Sequence, residues 1–269
     1  MNRGLIAKAF RETWAATLLF GLALFVVEMA LSFVLPRFQK QLSDQWLQVA
    51  FIQSIIKAMV GADLSGSAGP EIFTSIPWVH PVVLAVTWAH AIVFCTRIPA
   101  GEVDRGTVDI LMSMPVTRWR IHLSETVAWL ASAAAIFAMA TIGNALGSAL
   151  ADAPWQPARI GIVLANLALL YLGVGAFAWL LAALSDRRGG AVAAAFIIVV
   201  GSFLLNYLAQ FWKPLEHVVF LSLVRYYRPF QVLRDGAWPL RDMAVLTVLA
   251  AGLWAAAGAV FARRDLTTV

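Results

Sequence analysis

Few side chains in this sequence of 269 residues could do chemistry, and most of them interrupt long apolar runs. Glu28, His80, His90, Asn144, Asn166, Asn206 and Gln210 each sit among Ala, Leu, Val and Phe. In such a setting an ionisable or amide group marks a path, a ligand contact or an interhelical hydrogen bond. Glu28 lies seventeen residues beyond Arg11, and His80 seventeen residues before Arg97. At the helical rise both stand about 25 Å from the inner edge. They could pair near the outer surface, although separate snorkelling to the interface is the simpler expectation. His90 fits a packed histidine bonded to a neighbouring helix better than a substrate ligand. The four amides fit interhelical hydrogen bonds, with the lining of a path as the alternative.

The motifs for catalysis are missing. A phosphate-cradling loop needs Gly-Lys followed by Ser or Thr. The four lysines follow Ala7, Gln39, Ile56 and Trp212 instead. Neither HExxH nor GxSxG occurs. One cysteine, Cys95, allows no disulfide within the chain, and four scattered histidines form no zinc cluster. No catalytic residue, cofactor or metal is expected in this chain. The net charge of +5 and pI near 9.8 come from basic residues between apolar segments. They suit membrane topology and anionic lipid heads, not nucleic acid.

The remaining polar cluster is the run RIPAGEVDRGTVDILMSMPVTRWRIHLSE. Pro99 and Gly101 end the apolar segment before it. Thr107 can N-cap a short helix, and Asp109 suits that helix's positive end. Val108, Leu111 and Met112 would share one face, and Pro115 would stop the helix. Thr117 can cap the next segment, with Trp119 at the interface. The expectation is a short helix parallel to the membrane. Its apolar patch would either face a partner or rest on lipid.

These groups must be positioned by membrane helices. The chain is 61% hydrophobic and only 13% charged, against about 25% charged in a soluble domain. Six segments have the roughly 20 apolar residues that a crossing needs. They are 14–35, 78–98, 123–150, 160–184, 191–211 and 243–262, within one membrane domain, 1–269. The first reads as an uncleaved signal-anchor. In the loop from Pro36 to Pro77, Leu42, Trp46, Val49, Ile52, Ile56 and Met59 recur every three or four residues, the pattern of a surface-lying amphipathic helix. The half-apolar segment from Lys213 to Asp242 should dip in or lie flat, with Tyr226, Tyr227 and Trp238 at headgroup level. Gly143 and Gly147 form a GxxxG pair, a candidate dimer face. Arg187 and Arg188 in a short loop, with the other basic residues at span ends, place both termini and the 99–120 loop in the cytoplasm.

The run Glu102, Gly106-Thr107, Leu111, Pro115-Val116 and Arg118 resembles the signature of ABC-2-type transporter permeases, best over GTVDILMSMPVTRWRI. Six spans with cytoplasmic ends and the closing VFARRDL are also similar to that family. One departure is Ser124-Glu125, where the family often has Gly-Lys. The resemblance implies an all-α exporter-like bundle in the bacterial inner membrane, paired with a second permease chain. It also implies a separate cytoplasmic ATP-binding subunit that holds ATP and Mg. The 99–120 loop becomes the coupling helix seated in that subunit. Glu102, Arg105, Gly106, Thr107, Val108, Leu111, Met112, Pro115 and Arg118 become the contact candidates, with Leu111 and Met112 as apolar anchors and Glu102 and Arg118 as polar partners or local locks. The rivals are an ATP-independent carrier or channel using Glu28, His80 and His90, and, last, a membrane-embedded enzyme.

Overall fold

A computed structural model describes residues 2–41 and 70–265. The expected amphipathic helix around 42–59 lies outside the described residues. Six helices are long and apolar enough to cross a membrane, and no strand occurs among the described residues. The first is α1, Arg3–Gln41. The second span combines α2, Pro70–Val79, with α3, Pro81–Cys95. Two short helices follow, α4 over Ala100–Asp104 and α5 over Val108–Met112. The remaining crossings are α6, Arg118–Leu150, α7, Pro157–Leu184, α8, Arg188–Leu208, and α11, Leu240–Arg263. Between α8 and α11 lie α9, Lys213–Glu216, two 3-10 turns, and α10, Pro229–Asp235.

The second span begins at Glu71 rather than at residue 78. Pro81 keeps His80 out of the α region, so the apolar run is split into two stacked helices. The His80 ring caps the second of these by accepting from the Val82 amide. The segment from Lys213 to Asp242, expected to dip in or lie flat with its rings at headgroup level, is in part packed into the bundle. Tyr227 is buried, and its hydroxyl donates to the Trp78 carbonyl at 3.1 Å. Trp238 stays exposed, as expected of an interfacial ring.

The second and fourth spans are the most buried, and the fifth is the most peripheral. Trp78, Trp88, Trp129, Tyr171 and Trp179 fill the centre with Leu84, Ile136 and Leu170. Gly143 and Gly147 lie on α6 where it crosses α1. A Cβ at either would strike the Phe25 or Met29 backbone carbonyl. The GxxxG pair is therefore filled from within this chain and is not a free dimer face. Replacing Gly147 by Val should force α1 off α6 and cost at least about 1–3 kcal/mol. Thermal denaturation in detergent measures this as a lowered midpoint.

A second, smaller core fixes which loops share an end of the bundle. Leu5 of α1, Ile98, Leu111 of α5, Ile121 of α6, Ala183 of α7 and Phe261 of α11 pack together. The start of the first span, the loop after the second and the end of the last span are therefore on one side.

Candidate coupling site

The loop after α3 is built outward from buried anchors. The Trp179 indole donates to the Ile98 carbonyl at 3.1 Å. Helix α4 then makes one short turn, ending at Gly106 with φ +69. That left-handed conformation favours glycine, and it reverses the chain into α5. Thr107 does not cap α5 with its hydroxyl. It donates instead to the Glu102 carboxylate.

Glu102 is the hub of this turn. It is 3% exposed, and it accepts from Lys8 of α1 and from Arg105, each at 3.0 Å. Burial alone would raise its pKa. Hydrogen bonds from Thr107 and Lys8, with the charges of Lys8 and Arg105, outweigh burial and hold the carboxyl below its usual value. A depressed carboxylate contributes stability above its unfolded pKa, near 4.5, and loses it as pH falls through the lower folded value. Amide exchange across 102–107, corrected for intrinsic rates, should stay slow at neutral pH and rise once the pH drops below about 4.5.

The ion pairs continue inward. Lys8 also reaches Glu12 at 3.5 Å, one helical turn on. Arg97, at the end of the second span, bridges Glu12 of α1 and Glu125 of α6. The run Arg105–Glu102–Lys8–Glu12–Arg97–Glu125 thus ties the loop to three spans. Arg118 closes the other side by donating to the Phe261 and Arg264 carbonyls. Arg264 in turn donates to the Ala183 carbonyl at 2.8 Å and pairs with Asp186. Glu102 and Arg118 are thus both bonded within the chain.

The faces of α5 are reversed from the expectation. Val108 is fully buried and Leu111 is 3% exposed, both facing the bundle, with Met112 packed beside them. Ile110 stands out at 69% exposure. Asp109, Ser113 and Pro115 share its exposed surroundings, with Arg105 and Gly106 nearby. The reason is the inner core. Leu5, Ile121 and Phe261 take up Leu111, and Met112 is half-buried against the same cluster, so Leu111 is not a free anchor. Beside this face runs a groove of about 390 Å³, lined in part by Lys8, Glu102, Thr107, Ile110 and Met114.

A family model described as ABC-2 family transporter protein matches residues 5–266. The chain belongs to the ABC-2 transporter family. It is a multi-pass permease subunit of an ABC transporter. No curated protein and no solved structure matches it.

Within the permease the intramembrane polar residues do not converge. Glu28 is fully buried on α1, where the Asn144 amide donates to it at 3.0 Å. Asn144 also donates to Ser32 and accepts from the Trp155 indole. Glu28 therefore neither pairs with His80 nor snorkels outward, because its rotation around α1 aims it at α6. His90 is bonded to the Tyr171 hydroxyl at 2.9 Å and to Ser132 at 3.0 Å. Ser132 in turn bonds Thr17 of α1. Asn166 is bonded by its amide to the Tyr226 carbonyl and by its oxygen to the Arg228 amide, which fixes the outer segment. Asn206 and Gln210 line a cavity of about 530 Å³ with Tyr207, Glu216, Arg225 and Arg228.

Four site residues were not singled out from sequence: Lys8, Glu12, Arg97 and Glu125. Two signals pointed to them. Lys8 and Glu12 have the i,i+4 spacing of a helical ion pair. Glu125 is a carboxylate just inside an apolar span, which requires a cation nearby. Ile110 carried no distinguishing signal in a helix of five residues.

Proposed function

We propose that this permease is driven by a separate cytoplasmic ATP-binding subunit docked on the Asp109–Ile110 face of α5. The observation that carries the reading is the exposed Ile110 on a short helix whose opposite face is wedged against the inner ends of four spans. A lone exposed apolar side chain on a rigid mount is a docking anchor, since a push there cannot be absorbed locally. Leu111 passes displacement to α1, α6, α7 and α11 through packing. The Glu102–Lys8 and Arg97–Glu125 pairs pass it through charge. ATP and Mg belong to the partner, whose closure would draw two coupling helices together and switch the bundle's access. A second permease chain completes the assembly. The direction is export across a bacterial inner membrane, with α5 and both termini in the cytoplasm.

Coexpression with a candidate ABC-type ATP-binding subunit from the same genome tests this. The expected result is a stable complex with ATP turnover, and none from the permease alone. A permease that moves solute in liposomes without any ATP-binding subunit would overturn the reading.

A further inference from the structure

A crevice of about 140 Å³ opens between the inner parts of α1, α3 and α8. Glu12, Thr17, His90, Arg97, Arg105 and Arg188 are among its lining residues. Three guanidiniums thus face one carboxylate. Glu12 is already engaged by Arg97 and Lys8, so its charge is spent. Arg105 is held by Glu102. Arg188 forms no ion pair among the described residues; one of its nitrogens donates to the Val93 carbonyl at 2.9 Å. Asp104, exposed on α4, acts on Arg188 only through space. Arg97 is 5% exposed, and its Nε is buried with no hydrogen-bond partner among the described residues. Arg97, with a buried N–H that has no acceptor, and Arg188, with no ion pair among the described residues, line one crevice, and both are groups that an oxyanion would satisfy.

We propose that this crevice binds one phosphate-class oxyanion, held by Arg188 and the free Nε of Arg97. The planar fork of arginine matches tetrahedral phosphate oxygens. The oxyanion belongs either to a lipid headgroup or to a free phosphate. Arg105 lines the crevice and also pairs with Glu102, so occupancy acts on the residues that carry the coupling loop. The inner location rests on the orientation proposed above, but the anion site itself does not.

The test uses the full permease in a phosphate-free maltoside detergent. Inorganic phosphate, phosphatidylglycerol and diacylglycerol are titrated separately, with binding followed by native mass spectrometry and thermal shift. Wild type should bind phosphate or phosphatidylglycerol but not diacylglycerol, which lacks the phosphate. Arg188→Gln should weaken that binding at least tenfold, and Arg188→Lys should weaken it less. A response to phosphatidylglycerol alone assigns the lipid source, and a response to inorganic phosphate assigns the soluble one. Binding of neither, or equal binding by wild type and Arg188→Gln, overturns the proposal. Association with the ATP-binding subunit is measured on the same samples. Its failure in wild type would sink the docking reading and leave the anion result standing.

Discussion

An Ile110→Asp permease keeps its fold and loses its ATP-binding subunit. Ile110 is largely exposed, so the aspartate remains solvated in the isolated chain and the melting point is unchanged. In the proposed complex the same position would be buried, and an unpaired carboxylate would replace an apolar anchor. Such anchors contribute about 2–4 kcal/mol when truncated, so association should weaken by about thirtyfold to a thousandfold. The neighbouring Leu111→Asp gives the opposite pattern. It puts a charge into the core formed by Leu5, Ile121 and Phe261. Losing the buried leucine alone costs about 2–5 kcal/mol, and burying the charge adds to that. Its melting point should fall before any question of docking arises. Co-purification and thermal denaturation, run side by side, separate the two. If Ile110→Asp retains its partner at wild-type affinity, the docking face is wrong.

Replacing Arg97 with Met should be the most damaging single change among the ion pairs. It leaves Glu125, buried on α6, with no ion-pair partner among the described residues. Breaking a buried pair on one side costs about 3–5 kcal/mol. The double variant Arg97→Met/Glu125→Gln removes both charges and should recover much of the loss, since a buried pair exchanged for neutral groups is often near neutral. A double-mutant cycle of detergent melting points measures the coupling. Equal melting of wild type and Arg97→Met would show that the bridge contributes nothing.

The six crossings were legible because each is a long apolar run that only a helix can carry through lipid. The second was misplaced at its start because Pro77 and Pro81 resemble punctuation in the sequence, whereas here they join two stacked helices into one crossing. The loop after the second span was legible as a unit through Gly106-Thr107 and Pro115, but which face of α5 is exposed was not. Five residues give no periodicity to choose between Leu111 and Ile110. The choice is made by Ile121, Ala183 and Phe261, which arrive from distant parts of the chain. Glu28 shows the same limit. Depth along α1 can be counted from Arg11, but rotation about α1 cannot, and rotation is what gives Glu28 to Asn144 and not to His80. Arg97 and Lys8 were read only as charges that orient the chain. Their partners Glu125 and Glu102 lie on other elements.

Thiol labelling at Ile110→Cys tests the central claim most directly. The native Cys95 is 1% exposed and stays silent. A membrane-impermeant maleimide should label residue 110 in inside-out vesicles, leave it untouched in intact cells, and be blocked once the ATP-binding subunit is bound. Labelling from outside the cell, or undiminished labelling in the assembled transporter, would contradict a cytoplasmic helix that receives the motor's push.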